Sequence, residues 1–82
     1  MKFRSTGDTG DESLVYVHFE FNTPSTHECY MYFTRDGKAD SVEEIAYGTW
    51  QILEGHDFES LLDFYKVKPD EVWAMAKENE RG

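Results

Sequence analysis

The stretch that decides the predicted fold is residues 40–65, DSVEEIAYGTWQILEGHDFESLLDFY. Ser41 followed three residues later by Glu44 fits a capping box, in which each side chain satisfies an unpaired backbone donor at the start of a helix. Gly55 suits the helix end, because glycine tolerates the left-handed conformation found there. Between these ends, apolar residues recur at helical spacing and predict one buried stripe: Val42, Ile45, Ala46, Thr49, Ile52 and Leu53.

Two further helices are predicted after Gly55. The second covers residues 57–65, with Phe58, Leu61, Leu62 and Tyr65 as its apolar stripe. The third begins at Pro69, a residue that fits the first turn of a helix because its missing N–H is not needed there. Acidic residues at the start of this helix and basic residues near its end match the helix dipole. Its predicted buried side consists of Val72, Trp73, Met75 and Ala76.

Upstream, the residue pattern changes to the alternation typical of strands. Residues 14–21, LVYVHFEF, and 28–34, ECYMYFT, are rich in β-branched and aromatic side chains. Alternate side chains point to opposite faces of a strand, so one wholly apolar set is predicted to face the helices. Residues 22–27 form the connection and residues 35–38 a turn. The apolar set comprises Val15, Val17, Phe19 and Phe21 from the first strand and Cys29, Met31 and Phe33 from the second.

These elements predict an α+β fold, an antiparallel β-hairpin covered by three helices. Residues 1–5 would make the sheet three-stranded if they pair as an edge strand with Phe3 facing inward. The 82 residues are expected to form one small domain. Its parts are a flexible N-terminal segment at 1–13, the hairpin at 14–34 and the helical part at 40–80.

The charge balance limits the class of partner. There are 17 acidic and 8 basic residues, a net charge of −9. This charge disfavours nucleic acid and anionic membranes as direct partners and favours a basic protein surface. The single cysteine, Cys29, excludes an intramolecular disulfide. No apolar run resembles a signal peptide or reaches the length of a membrane span, so an intracellular, soluble protein is expected.

The first candidate site is an acidic surface on the predicted helices. No Lys or Arg occurs between residues 39 and 65. Carboxylates held on a rigid surface can imitate the phosphates of a nucleic acid and occupy a channel lined by Lys and Arg. The alternative is a solvated face that keeps the protein soluble. The candidate partner-binding acids are Asp40, Glu43, Glu44, Glu54, Asp57, Glu59 and Asp63.

The second candidate site is the outward face of the hairpin, which carries Tyr16, His18, Tyr30 and Tyr32. If no helix covers this face, the tyrosines form an exposed aromatic patch. Tyrosine is favoured at protein interfaces because it combines a large contact area with a hydrogen-bonding group. The alternative is ordinary cross-strand pairing on a half-solvated sheet face.

Metal binding and catalysis have little support in the sequence. The possible ligands His18, His27, Cys29 and His56 are scattered, whereas structural zinc sites show paired ligands at short spacing. Cys29 alternates with apolar residues on the inward strand face, which is typical of a core cysteine. No phosphate-binding loop, dinucleotide-binding motif or zinc-protease motif is present. We therefore expect no metal, no cofactor and no enzymatic activity.

In size, charge and lack of a catalytic motif, the chain resembles the small acidic inhibitors that phages make against host defence systems, including anti-CRISPR proteins and DNA mimics. The resemblance implies a protein-binding inhibitor that acts in the host cytoplasm and blocks a basic, nucleic-acid-binding host protein. An alternative comes from residues 58–80, where two helices and a short turn resemble a helix-turn-helix unit. Because the second of these helices begins Pro69-Asp70-Glu71, such a regulatory domain would act through a basic partner protein.

Overall fold

The structure is a computed structural model that describes residues 1–21, 27–46 and 49–80. The described residues form five strands followed by two helices. The predicted connection at 22–27 lies almost entirely outside them. In chain order the elements are β1 (Lys2–Asp8), β2 (Leu14–Phe21), β3 (His27–Thr34), β4 (Ala39–Ala46), β5 (Thr49–Leu53), α1 (Gly55–Tyr65) and α2 (Pro69–Glu80).

The five strands form a single antiparallel sheet in the order β1-β2-β3-β4-β5, so every strand pairs with its neighbour in sequence. The two predicted strands at 14–21 and 28–34 are confirmed as β2 and β3. β1 starts within the predicted edge strand and continues to Asp8. The β3–β4 turn closes where the Gly37 N–H donates to the Thr34 carbonyl at 2.9 Å, and Gly37 has a φ of +94°. That φ explains the glycine, because other side chains rarely adopt it.

The predicted fold class is wrong, because the first predicted helix does not form. Residues 39–46 and 49–53 are the strands β4 and β5, so a five-stranded sheet with two helices replaces a hairpin with three. β-branched and aromatic residues in this stretch favour strands, and β4 supplies hydrogen-bonding partners for the edge that a hairpin would leave open on β3. The predicted stripe is divided: Val42 is buried, whereas Ile52 is 62% exposed. The structure does not describe the side chains of Ile45 and Ala46.

Both helices pack on the same face of the sheet. Val17, Phe19 and Met31 are fully buried there, as the strand alternation predicts. α1 contributes Phe58 and Leu61 to this core, and α2 contributes Val72 and Ala76. We call this side of the sheet the helix face and the opposite side the open face. The remaining members of the core are Cys29, Phe33 and Val42.

The two helices confirm the second and third predicted helices, with one correction. Gly55, expected to end a helix, instead begins α1 with a φ of +56°. α1 ends in a Schellman motif, in which the Val67 N–H donates to the Leu62 carbonyl at 3.0 Å and Lys66 has a φ of +55°. Pro69 then begins α2. Within the described residues, neither helix is long and apolar enough to cross a membrane.

Candidate functional site

The open face carries a row of stacked rings on β2 and β3. The register places His18 opposite Tyr30 and Tyr16 opposite Tyr32, on the positions that alternate with the core. The His18 and Tyr30 rings stack with centroids 4.2 Å apart, and Tyr16 stacks on Tyr30 at 5.7 Å. Such contacts stabilise the pairs beyond simple burial. The tyrosines are half-buried, so part of each side chain remains available to a partner.

Trp50 extends this row to the edge of the sheet. It contacts Tyr30 edge-on, with ring centroids 5.3 Å apart, although the two residues lie on β5 and β3. Trp50 is 40% exposed, and its neighbour Ile52 on the same face is more exposed still. The aromatic row therefore crosses the sheet from β2 to β5. We call the set Tyr16, His18, Tyr30, Tyr32 and Trp50 the aromatic row.

Carboxylates lie beside the aromatic row. The Tyr32 hydroxyl donates to Glu43 Oε1 at 2.8 Å. Burial, the hydrogen bond to Glu43 and the negative charge of Glu43 raise the pKa of Tyr32 to about 12. His18 Nε2 lies 3.2 Å from Glu28 Oε1. The open face thus combines aromatic surface with negative charge.

A hollow of about 360 Å³ lies at one end of the open face. Leu14, Tyr32 and Ile52 give it an apolar lining, and Asp11, Asp40 and Glu54 place carboxyl groups around it. The hydroxyl and backbone N–H of Ser13 donate to Asp11 and hold the pKa of that carboxyl below its ordinary value. An apolar hollow with an acidic rim suits the aliphatic stem and charged end of a lysine or arginine.

The acidic surface predicted on a helix pair is divided by the sheet. Glu43 lies on the open face beside Tyr32, and Asp40 and Glu54 line the hollow at its end. Glu44 and Asp57 instead line a second hollow of about 430 Å³ on the helix face, together with Leu53, Phe64 and Tyr65. Glu59 and Asp63 are exposed on α1. The prediction that these acids share one helical surface is wrong, since the first of the two predicted acidic helices is replaced by the strands β4 and β5.

Cys29 has the environment of a core residue. Its side chain is fully buried on β3, and burial followed by the charge of Glu44 raises the pKa of its thiol to about 12. A protonated, inaccessible thiol cannot act as a nucleophile at neutral pH. In the described parts of the chain, no three His, Cys, Asp or Glu side chains are grouped as metal ligands. The His27 side chain lies outside that description.

The helical hairpin formed by α1 and α2 does not present a DNA-recognition helix. Phe58 and Leu61 on α1 and Val72 and Ala76 on α2 are turned to the sheet core. The first turn of α2 carries Asp70 and Glu71, which repel phosphate. The geometry therefore gives the helix-turn-helix alternative no added support.

Comparison with known proteins adds no assignment: no protein-family model, no curated protein and no solved structure matches the chain. The sequence reasoning placed Tyr16, Tyr30 and Tyr32 on an outward sheet face, and the structure brings them together there. It missed Trp50 and assigned Ile52 to a buried stripe. The pattern that could have located them is the alternation of Trp50 and Ile52 with Gln51 in a short run of β-favouring residues.

Proposed function

We propose that this protein is a protein-binding inhibitor that places its open sheet face on a basic, nucleic-acid-binding protein. The observation that carries the proposal is the aromatic row, which neither helix covers in the part of the chain that the structure describes. Large half-exposed aromatic side chains are characteristic of the energetically dominant centre of protein interfaces.

The charge supports a basic partner rather than nucleic acid. The net charge of −9 repels phosphate and attracts Lys- and Arg-rich surfaces. On the open face, Glu43 lies beside the aromatic row and is half-buried, so it can pair with a partner cation in a partly desolvated setting. Charge pairs in such settings contribute more to affinity than pairs at a solvated rim.

Inhibition follows from what a basic surface normally binds. Lys and Arg residues that hold nucleic-acid phosphates are unavailable when an acidic protein covers them. Such a mechanism requires no catalytic group and no cofactor. The biological setting that we propose is phage-type anti-defence, of the anti-CRISPR or DNA-mimic kind, in the cytoplasm of the host cell.

The division of the acids assigns them different parts in this mechanism. Asp40, Glu43 and Glu54 belong to the contact surface because they lie on or at the end of the open face. Glu59 and Asp63 on α1 act at long range by attracting the partner. The proposed interface is therefore centred on the sheet and not on a helix.

The test uses two matched double variants. One removes an aromatic ring and a charge from the open face, Trp50→Ala with Glu43→Gln. The other removes the same kinds of group from α1, Phe64→Ala with Glu59→Gln. Each immobilised protein is incubated with bacterial lysate, and the captured proteins are eluted with duplex DNA and quantified by mass spectrometry.

We expect the parent and the α1 variant to capture the same basic protein, which DNA displaces, and the open-face variant to capture at least about tenfold less. Equal capture by the two variants, or loss confined to the α1 variant, would remove the open face from the interface. Failure of DNA to displace the captured protein would contradict the inhibitory mechanism.

A further inference from the structure

The two edges of the sheet differ in how they are protected. β1 has exposed Lys2 and Arg4 and a shift of register between Phe3 and Ser5. Charges and bulges of this kind prevent a further strand from pairing with an edge. β5, Thr49–Leu53, has no charged residue, no proline and no register shift against β4. Only β1 has the usual defences.

β5 is also accessible from outside. Four of its five residues are exposed. Trp50 and Ile52 are two of the four large hydrophobic residues that are exposed in the described parts of the chain. Among the described residues, β5 pairs in the sheet with β4 alone. An unprotected edge with exposed apolar side chains is a template for an added strand.

Both faces beside this edge are acidic. On the open face, the register places Glu43 directly opposite Ile52. On the helix face, Glu44 lies opposite Gln51 and shares a hollow with Asp57. Since strands lie about 4.8 Å apart, an added residue beside Ile52 would be roughly 10 Å from Glu43 at the backbone. Extended lysine and glutamate side chains can close that distance.

We propose that β5 is a strand-addition site for an extended segment of a partner protein that carries Lys or Arg at alternate positions. This inference rests on the proposed function and names the part of the partner that is recognised. Main-chain hydrogen bonds to β5 supply the pairing. Cations of the added strand lie over the exposed Trp50 ring, as cation–π contacts favour, and reach Glu43. The apolar positions that alternate with them lie on the helix face, beside Leu53 in the lining of the hollow.

A second copy of this chain fits the edge less well. Two molecules that each carry a net charge of −9 repel one another. Pairing β5 with its own copy would also bring the Glu43 and Glu44 pairs of both molecules to the same junction, with no Lys or Arg between residues 39 and 65 to neutralise them. Charge complementarity therefore selects a basic strand.

The probe for the test is a fluorescent nine-residue peptide of alternating Lys and Val. Fluorescence anisotropy measures its affinity, and hydrogen–deuterium exchange locates it. We expect saturable binding together with slower exchange of the amides of β5, whereas the amides of β1 remain unchanged. The same peptide built from alternating D and L residues keeps its composition and charge but cannot place Lys and Val on opposite faces of a strand, and should bind at least tenfold more weakly.

Two matched variants test the position of binding. Ile52→Lys places a charge on the edge at a side chain that is 62% exposed, so the fold should be retained. Ala74→Lys makes the same change of charge at an exposed position on α2, which packs near β1 and β2. We expect Ile52→Lys to weaken binding at least tenfold and Ala74→Lys to change it less than threefold.

Several results would overturn the inference: no binding of the peptide, protection at β1 or elsewhere without protection at β5, or equal loss in the two variants. A dimeric protein whose β5 amides are already protected without peptide would show that a second copy occupies the edge. If these results are negative while a DNA-displaceable basic protein is still captured through the open face, strand addition fails and the proposed function stands. Absence of such capture is the result that would remove the proposed function.

Discussion

At the scale of single residues, Cys29 shows how burial governs chemistry. It lies on the central strand β3 with no exposed surface, and burial raises the pKa of its thiol from an ordinary value near 9 to about 12. Between these values the unfolded chain loses the thiol proton and the folded chain keeps it. Because the unfolded state then binds fewer protons, the free energy of unfolding falls as pH rises.

We therefore predict that stability decreases between pH 9 and pH 12, by at most about 1.4 kcal/mol per pH unit from this thiol. Tyr32, whose pKa is raised to about 12, adds a loss of the same sign above its ordinary value near 10. Urea unfolding at pH 8, 9 and 10 measures the slope. Cys29→Ala should be less stable at pH 8 but lose less stability between pH 8 and pH 10. Parallel slopes would show that the thiol titrates alike in both states.

Alanine substitutions at three glycines can distinguish the cost of backbone strain from the cost of a steric clash. A Cβ added at Gly37, whose φ is +94°, would lie 2.7 Å from Trp73 Nε1. Gly55 has a φ of +56° with nothing within 4 Å of an added Cβ, and Gly10 is free of both constraints. We predict that thermal denaturation ranks the alanine variants in the order Gly10, Gly55, Gly37, from least to most destabilised. Gly55→Ala should cost about 1–2 kcal/mol from strain alone, and Gly37→Ala more. An equal cost at Gly37 and Gly55 would mean that the Trp73 ring moves aside freely.

At the scale of secondary-structure elements, the sequence identified each element that has a single consistent period. β2 and β3 alternate strictly, and α1 and α2 have an apolar stripe, so all four were predicted with the correct buried side. Their alternation also placed Tyr16, Tyr30 and Tyr32 on the outward face. This part of the fold and of the candidate site follows from local pattern alone.

Residues 40–53 could not be assigned in the same way because their pattern fits two periods. Val42, Ile52 and Leu53 match a helical stripe, yet in the sheet Val42 is buried and Ile52 is on the open face. Tertiary structure decides between the two periods, because β3 needs a hydrogen-bonding partner along its second edge. Local indications did exist: β-branched residues are frequent, and Gly48 would cost a helix about 1 kcal/mol relative to alanine. Only the structure identifies Trp50 and β5 as parts of the candidate site.

The attachment of α1 to the sheet gives a prediction at this scale. Leu61 is 7% exposed in the core, whereas Phe64, on the same helix, is 77% exposed. We expect Leu61→Ala to lower the free energy of unfolding by about 2–5 kcal/mol, because it leaves a cavity. Phe64→Ala should change it by less than about 1 kcal/mol, since surface substitutions have small effects. Chemical denaturation measures both variants. Similar costs for the two would place α1 in a different orientation on the sheet.

At the scale of the whole molecule, charge acts over distances comparable with the protein itself. The molecule measures 31 × 26 × 22 Å, and the Debye length is about 30 Å at 0.01 M salt but about 8 Å at physiological salt. At low salt every carboxylate contributes to attraction of a basic partner, wherever it lies. At higher salt only the carboxylates at the contact surface continue to matter. Position and charge can therefore be separated by ionic strength.

Three single variants use this separation. Glu43→Gln removes a charge on the open face of β4, Glu44→Gln one on the helix face of β4, and Glu59→Gln one on α1. With the captured partner protein in stopped-flow measurements, we predict that all three slow association to a similar extent at 0.01 M salt. Glu43→Gln alone should also speed dissociation, since a charge desolvated at the interface contributes to the lifetime of the complex. Raising the salt to 0.5 M should slow association of the parent by about tenfold or more. The parent and the three variants should then associate at the same rate. An association rate that does not change with salt would contradict electrostatic attraction. Faster dissociation of the Glu59→Gln variant, with no change for the Glu43→Gln variant, would place the interface on α1 and not on the open face.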